Sequence, residues 1–311
     1  PKSRTLLSLN KKLKQAIIFK KNNAIFHFHG GLIFEYFLIA RLLTQLNINY
    51  NVTPHGLFYS KNRVTEYLKS YFHFVFFEKN LIGNALNIQC TETCEFNLIS
   101  KDFPEANKIL LPLGNQPLDP PFEFSPLRKR EKLIFGYSGD ISADENGLDL
   151  LLKGFARYKA KFNGDANLWI IGDGKDIGKL NELAILLKIP DEVMFFNPKE
   201  QEVKSNMIAN FDVFFSTSDN LIDSFYILKA AKMGIPVVLS KDSVISQNIS
   251  KYNAGCTLRK NRPSDIATAM KRMEECFVIN TLQTQGENAI KMINSEYDWN
   301  AIALNMRSIY F

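Results

Sequence analysis

Residues 132–174 decide the fold of the chain and read KLIFGYSGDISADENGLDLLLKGFARYKAKFNGDANLWIIGDG. A short apolar run (132–137) leads through a glycine-containing turn into a helical stretch near 147–161. A second short apolar run (167–171) then ends in another glycine-containing turn. Short buried strands that alternate with longer helical stretches predict a parallel sheet covered by helices on both faces.

The same alternation extends along most of the chain and forms two series. In the first series, strands are predicted at 24–28, 49–53, 86–91 and 108–112, with helices at 32–46, 64–77 and 94–101. In the second, strands are predicted at 132–137, 167–171, 193–196, 213–216, 236–240 and 255–258, with helices near 147–161, 176–187, 200–209, 225–233, 243–250 and 264–276. We therefore expect an α/β protein with two Rossmann-like, doubly wound domains.

A proline-rich segment separates the two series. Four prolines fall within residues 115–126, where the apolar periodicity is lost, and this composition is typical of a linker. We expect an N-terminal domain at 1–120, a linker at 121–131 and a C-terminal domain at 132–295. The remaining residues, 296–311, read as a final amphipathic helix that no strand follows.

Composition excludes several classes of protein. The chain has 311 residues, of which 46% are apolar and 23% are charged, so it can bury a large core and is not a disordered chain. It has no run of 18 uninterrupted apolar residues, which argues against a membrane span. Four cysteines in this length make no disulfide framework, and a reducing cytoplasm is the simplest location.

The positive charge is concentrated at the N-terminal end. The net charge is +6, yet seven cations precede the first acid, Glu35: Lys2, Arg4, Lys11, Lys12, Lys14, Lys20 and Lys21. Apolar residues lie between them, so this segment has the composition of a helix that rests peripherally on an anionic inner membrane face. An ordinary amphipathic helix with a solvated basic face is the alternative. We do not expect nucleic-acid binding, because nothing else in the sequence indicates it.

Glycine and hydroxyl residues follow several predicted strands of the second series. Ligands of doubly wound sheets bind at the carboxyl ends of strands, where small residues and helix N-termini admit phosphates. Glycine at such turns also serves tight backbone geometry, so each turn alone is a weak signal. The turns together are more informative, and they contain Ser138, Gly139, Gly172, Gly174, Lys175, Asp223, Ser224 and Phe225.

Taken in order, these motifs resemble the C-terminal domain of GT-B glycosyltransferases, in particular the retaining enzymes of family four. The matching segments are Gly139, Gly147-Leu-Asp-Leu-Leu-Leu152, Ile171-Gly-Asp-Gly174, Met194-Phe-Phe196, Phe211-Asp-Val-Phe-Phe-Ser216 and Lys229-Ala-Ala-Lys-Met-Gly-Ile-Pro-Val-Val238. The resemblance implies two domains that face a cleft, and a C-terminal helix that crosses back to the first domain. It also implies transfer of a sugar, with retention, from a nucleotide-sugar to a saccharide, lipid-linked or protein acceptor.

The resemblance also assigns roles to residues. In Val52-Thr-Pro-His-Gly56, His55 corresponds to the histidine that meets the donor sugar, and it is the candidate catalytic residue. His29, Gly30 and Gly31 are candidates for the acceptor side. The candidate donor-binding residues are Ser138, Gly139, Gly172, Gly174, Lys175, Asp223, Ser224, Phe225 and Lys229. The nucleotide-sugar is the substrate, and we expect neither a metal nor a further cofactor.

The chain also departs from the family pattern. Asp140 and Asn146 occupy the positions of its phosphate-binding Arg and Lys, while Lys229 and Leu221 occupy those of its two acids. The donor site is therefore either rebuilt, with Lys229 on the donor phosphates or ribose, or lost, which would make the chain a partner or scaffold of an active glycosyltransferase. A sugar-nucleotide epimerase is a third alternative. The family's first strand and glycine-rich loop are missing, so the N-terminal domain is expected to be shortened, either naturally or because the sequence starts inside the protein.

Overall fold

The chain is described by a computed structural model that covers residues 9–31, 33–55, 77, 79–91, 93–112, 114, 132–143, 146–217, 224–241, 243 and 245–310. Its internal contacts divide the chain into two compact units. The first comprises Pro1–Leu113 with Asn300–Phe311, and the second comprises Gly114–Trp299. The predicted linker at 121–131 lies outside the described residues, as does nearly all of the predicted helix at 64–77.

The first unit contains a four-stranded parallel sheet whose strands follow chain order, β1-β2-β3-β4. These strands are β1 (Phe26–His29), β2 (Tyr50–Thr53), β3 (Asn87–Cys90) and β4 (Lys108–Leu110). Its helices include α1 (Lys11–Lys20), α2 (Phe34–Gln45), α3 (Lys79–Gly83) and α4 (Thr93–Asp102). Val52 and Leu43 are fully buried in one apolar cluster, and Ile88 and Ile99 in another.

The second unit contains a six-stranded parallel sheet in the order β10-β9-β8-β5-β6-β7. Its strands are β5 (Leu133–Ser138), β6 (Ala166–Ile171), β7 (Val193–Phe196), β8 (Val213–Ser216), β9 (Val237–Ser240) and β10 (Gly255–Leu258). Its helices include α5 (Leu148–Phe162), α6 (Ile177–Leu186), α7 (Gln201–Ile208), α8 (Ser224–Lys232), α9 (Ser246–Tyr252), α10 (Pro263–Val278) and α11 (Leu282–Glu296). The last helix is α12 (Trp299–Tyr310), and its residues from Asn300 onward belong to the first unit.

The central strands β5, β8 and β9 of the second sheet are buried on both faces. Leu133, Phe135 and Tyr137 of β5 belong to the apolar cluster that includes α5 and α10, whereas Ile134 belongs to the cluster that includes α8 and α11. Successive side chains of a strand point to opposite faces, so this division shows helices packed on both sides of the sheet. Continuous apolar strands are therefore required here, as the sequence indicates.

Helix α5 shows why the local sequence folds as it does. It begins after Gly147, whose φ is +64°, and ends before Asn163, whose φ is +49°; both conformations suit glycine and asparagine. Asp149 and Lys153 form an ion pair of 2.7 Å one helical turn apart. The buried face consists of Leu148, Leu151, Leu152, Gly154, Phe155 and Tyr158. This spacing of three and four residues is that of an amphipathic helix.

The structure confirms the α/β class and both parallel sheets. Every predicted strand is present, with each end within two residues of the predicted one. Residues 282–296, for which no element was predicted, form α11. Its buried face includes Gln285 and Gly286, which are not apolar signals, although Leu282, Ala289, Met292 and Ile293 keep a helical period.

Candidate functional site

The carboxyl edge of the second sheet has the geometry of a ligand site. The chain runs from β5 outward through β6 and β7, then returns to the other side of β5 with β8, so the strand order reverses between β5 and β8. Such a reversal separates the loops that follow the two strands and opens a crevice in doubly wound sheets. Ser138 ends β5 and Ser216 ends β8, so both lie at this crevice.

Two buried hydroxyl groups at this edge lack partners. The Ser138 and Ser216 side chains are each 1% exposed, and neither Oγ has a hydrogen-bond partner among the described residues. A buried hydroxyl without a hydrogen-bond partner costs free energy of folding, so two such hydroxyls at the ends of neighbouring strands need an explanation. Both Oγ atoms are enclosed by protein atoms, so a ligand with hydroxyl or phosphate oxygens would have to displace neighbouring side chains to bond to them.

The glycine turns after β5 and β6 pack directly on each other. Gly139 N–H donates to Ile171 O at 3.1 Å, and Ile141 N–H donates to Asp173 O at 2.8 Å. A Cβ at Gly172 would lie 1.9 Å from Gly139 O, and one at Gly174 would lie 2.1 Å from the Ile141 carbonyl oxygen. The immediate role of these glycines is close backbone approach. The Gly139 N–H is already bonded to Ile171 O, so this candidate donor-binding residue has no free N–H for a phosphate.

The loop after β5 folds around the Tyr137 hydroxyl. This hydroxyl donates to Asp140 O at 2.9 Å and accepts from Asn146 Nδ2 at 3.1 Å. Asp140 is exposed, whereas Asn146 is buried. Thr217 Oγ1 lies 3.0 Å from the carbonyl oxygens of both Asn146 and Gly147, which ties this loop to the end of β8. Asn146 therefore has a structural partner at the position where the family resemblance places a phosphate-binding Lys.

Lys229 is buried on α8. It is 8% exposed, and its Nζ donates to Ser205 Oγ on α7 at 2.8 Å. Burial lowers the pKa of Lys229, and the nearby Lys204 ammonium lowers it further. Lys204 Nζ lies 4.6 Å from the centre of the Tyr226 ring. The Lys229 ammonium is thus buried and bonded within the protein rather than solvated.

The other candidates of the second unit are distributed around this edge. Ser224 begins α8, and Phe225 is partly exposed in its first turn. Lys175 is exposed beside the turn after β6. In that turn, Asp173 pairs with Lys199 at 3.2 Å, and this hydrogen bond is the largest cause of the lowered pKa of Asp173. Asp223 lies outside the described residues, as does Leu221.

The corresponding edge of the first sheet contains three histidines. His27 and His29 of β1 stack with ring centres 4.2 Å apart, and His29 Nδ1 lies 3.2 Å from His55 Nε2. His55 follows β2 with a φ of +55°. Burial is the largest cause, and His29 the next, of the lowered pKa of His55. The candidates His29 and His55 therefore form a hydrogen-bonded pair.

The glycines after β1 shape the turn beside these rings. Gly30 has a φ of +86°, and its N–H donates to Thr53 O at 2.8 Å. A residue with a Cβ would be strained in this left-handed conformation. Gly31 is buried next to it. The turn thereby joins the end of β1 to the end of β2, and it places His29 opposite His55.

Several polar residues that complete these edges were not predicted from the sequence. Thr53 and Gln89 are buried and connect to His27, and Ser205 binds Lys229. Ser216 lies within a quoted motif but was not selected. A polar residue such as Gln89 in the middle of an otherwise buried strand is a signal that was available.

The described residues contain neither a metal-binding cluster nor a membrane-spanning helix. No group of three or more His, Cys, Asp or Glu side chains is placed to hold a metal ion there. No helix in the described part of the chain is both long and apolar enough to cross a membrane.

Comparisons with solved structures establish the type of fold. The chain is similar to a glycosyltransferase from Rickettsia africae (TM-score 0.73, 16% identity, covering 100% of this chain and 82% of that one). It is also similar to Anabaena HepE in complex with UDP (TM-score 0.73, 12% identity, covering 96% of this chain and 81% of that one). A third similar structure is sucrose-phosphate synthase from Thermosynechococcus elongatus (TM-score 0.70, 17% identity, covering 96% of this chain and 76% of that one). Identities this low establish the fold alone, which is the GT-B fold.

Sequence comparison gives the family. No curated protein sequence matches the chain. The family model described as glycosyl transferases group 1 matches residues 120–292, which is more than half of the chain and includes every strand of the second sheet. The chain therefore belongs to the glycosyl transferases of group 1.

Proposed function

We propose that this protein transfers a sugar from a nucleotide-sugar to a saccharide, lipid-linked or protein acceptor, with retention at the anomeric carbon. The observation that carries the proposal is the reversal of strand order between β5 and β8, where the Ser138 and Ser216 hydroxyls lack protein partners in the described part of the chain. Family membership supports glycosyl transfer. The family-four resemblance supports retention.

In this proposal the nucleotide binds the second unit. The diphosphate faces the first turn of α8, since N–H groups at a helix N-terminus have no partner within the helix. Gly139, Gly172 and Gly174 shape the crevice through their loop packing. Lys175 and Lys229 supply positive charge toward the departing diphosphate. The reaction uses the nucleotide-sugar as substrate and no further cofactor or metal.

The first unit contributes the acceptor side and the proposed catalytic residue. We propose that the His55 ring contacts the donor sugar and that His29, Gly30 and Gly31 lie on the acceptor side. His55→Ala is then expected to lower kcat at least tenfold and to leave the Kd for the free nucleotide unchanged, because the nucleotide touches only the second unit. A weakened Kd with unchanged kcat would contradict this assignment.

Nucleotide binding to the full chain is the first test. Isothermal titration with UDP, GDP and ADP should give binding of at least one of them. Ser216→Ala should weaken that binding by about fivefold, the value of one hydrogen bond. The matched control is Ser100→Ala, since Ser100 Oγ is also buried with no partner among the described residues but lies on α4 of the first unit. Equal effects of the two variants would contradict the proposed site. The anomer of the product, read by NMR, tests retention.

One observation favours a second candidate, a partner subunit whose donor site has been lost. Asn146 and Lys229 occupy positions where the family resemblance places donor-binding residues, and both are held by structural partners, Tyr137 and Ser205. If none of the three nucleotides binds at millimolar concentration, this candidate replaces the first one.

We also propose that α1 attaches the protein to an anionic membrane surface, on the cytoplasmic side. Lys11, Lys12, Lys14 and Lys20 are exposed on this helix. Phe19 is 83% exposed, while Ile17 packs in the core of the first unit. An exposed aromatic ring among lysines suits the interface of an anionic bilayer.

Liposome flotation tests this attachment. The protein should float with vesicles that contain phosphatidylglycerol and remain at the bottom with neutral ones. Lys12→Glu with Lys20→Glu should abolish flotation, while two control reversals in the second unit, Lys161→Glu and Lys188→Glu, should not, since both of these lysines are exposed as well. Equal recovery on the two kinds of vesicle would leave α1 as an ordinary solvated helix.

A further inference from the structure

A chain of hydrogen bonds crosses the first sheet and ends on the last helix. Gln89 Nε2 donates to Leu111 O at 3.3 Å, and Thr53 Oγ1 donates to Gln89 Oε1 at 3.0 Å. His27 Nε2 lies 2.7 Å from Thr53 Oγ1, and His27 Nδ1 is hydrogen-bonded to the Tyr310 hydroxyl on α12. Thr53 and Gln89 are buried, so water does not replace these partners.

The donors and acceptors in this chain determine where the protons lie. The Leu111 carbonyl can only accept, so it orients the Gln89 amide with its oxygen toward Thr53. That oxygen can only accept, so it takes the single hydroxyl proton of Thr53. Thr53 then has only lone pairs left for the His27 ring, so the proton between them belongs to His27 Nε2. In a neutral ring, Nδ1 is the acceptor and Tyr310 donates to it.

His27 is held neutral by its surroundings. Burial is the largest cause, and the neighbouring His29 and His55 rings are the next, of the lowering of its pKa to about 4. The titratable side chains that face His27 in the described residues are these two rings and Tyr310, so none is an acid that would stabilise an imidazolium.

His27 in turn supports the pair of histidines proposed above to face the substrates. The His29 ring stacks on the His27 ring with an interplanar angle of 22°. His29 Nδ1 and His55 Nε2 are 3.2 Å apart, and a hydrogen bond between two ring nitrogens requires one proton between them. The orientation of His29 therefore depends on the ring beneath it.

We propose that Gln89 and Tyr310 are positioning residues that hold His27 as the neutral Nε2–H tautomer and thereby orient the His29–His55 pair. Tyr310 acts from the C-terminal helix and Gln89 from the centre of the sheet. The inference rests on the proposed function only where it links this pair to catalysis. The tautomer itself is independent of any activity.

Nitrogen-15 NMR of histidine in the full-length protein tests the tautomer directly. In the wild type, His27 should show a protonated Nε2 and a bare Nδ1 from pH 8 down to about pH 5. Gln89→Leu frees the Thr53 hydroxyl to donate to His27 Nε2, so the Nδ1–H tautomer should appear. Tyr310→Phe should keep the tautomer, shift the Nδ1 resonance and alter the His29 and His55 signals. The matched control is Tyr36→Phe, because the Tyr36 hydroxyl donates only to the backbone of His29, at 3.2 Å.

Three results would overturn the proposal. They are an Nδ1–H tautomer or an imidazolium for His27 of the wild type at pH 7, an unchanged tautomer in a folded Gln89→Leu, and unchanged His29 and His55 signals in Tyr310→Phe. If Gln89→Leu does not fold, Tyr310→Phe alone decides, because it removes one hydroxyl and keeps the ring. If a nucleotide-sugar that supports turnover is found, Tyr310→Phe should also move the acidic limb of the pH profile of kcat/KM by at least about 0.5 pH unit. Absence of turnover with every donor would contradict the proposed function and leave the NMR result valid.

Discussion

The two sheets end in different chemistry at the same kind of edge. The first sheet ends in the rings His27, His29 and His55, whose nitrogens bond to side chains and to each other. The second ends in Ser138 and Ser216, beside glycines whose missing Cβ positions are filled by neighbouring backbone. The first edge is therefore expected to respond to protonation of its histidine rings, and the second edge to the volume of any side chain added at its glycines.

Added volume at the second edge is expected to have the largest effect. Gly172→Ala should lower the free energy of unfolding by about 2–4 kcal/mol, because its Cβ would lie 1.9 Å from Gly139 O. The matched control is Gly178→Ala on α6, where a Cβ would meet nothing within 4 Å. It should raise stability by about 0.5–1 kcal/mol, as alanine favours helix. Denaturant unfolding measures both, and similar values for the two would show that the second edge is not sensitive to added volume.

Acid is expected to destabilise the first edge. The pKa of His27 is lowered from its ordinary value of 6.5 to about 4 in the folded chain, so the unfolded chain binds more protons between these values. Stability should therefore fall as the pH falls from about 6.5 to about 4, by roughly 1–2 kcal/mol after allowance for solvent screening. His27→Gln should flatten this part of the stability profile. A profile that is the same for the variant and the wild type would contradict the folded-state pKa.

Replacing Lys229 shows how far the stability of the second unit depends on a buried charge. Its pKa is lowered, so the unfolded chain binds more protons below the ordinary lysine pKa, and stability should rise as the pH rises toward that value. Lys229→Met should remove this rise and stabilise the chain by about 1 kcal/mol at pH 7, because a buried ammonium bonded to one hydroxyl is replaced by an apolar chain of similar length. The same variant should weaken nucleotide binding if the ammonium contacts the donor. A destabilised variant with unchanged binding would show a structural role alone.

The exposed ion pair in the turn after β6 is expected to have the smallest effect. Asp173 and Lys199 are both largely exposed, so solvent and salt screen their attraction. Lys199→Ala should leave the melting temperature unchanged and raise the pKa of Asp173, since Lys199 is the largest cause of its lowered value. A clear loss of stability would show that this turn depends on charge as well as on volume.

Sequence reasoning located the strand ends of both sheets but not what their residues do there. The turn glycines were predicted because a glycine after an apolar run is a local signal. Their packing against the preceding loop was not, and neither was the bond that commits the Gly139 N–H to Ile171. His55 was selected because its segment, 52–56, resembles the family segment that carries the histidine facing the donor sugar. Its partner His29, from 26 positions earlier in the chain, was assigned to the acceptor side, and the bond between them was not predicted.

The sequence by itself determined the alternation of strands and helices, the parallel sheets and the family, because periodicity and short motifs are local properties of the chain. Only the tertiary structure decided the reversal of strand order between β5 and β8, the burial of Lys229 against Ser205 and the tautomer of His27. Each of these depends on residues that are far apart in the chain. Tyr310 lies 283 positions from the ring that it contacts, and no local pattern specifies which distant group completes a hydrogen bond.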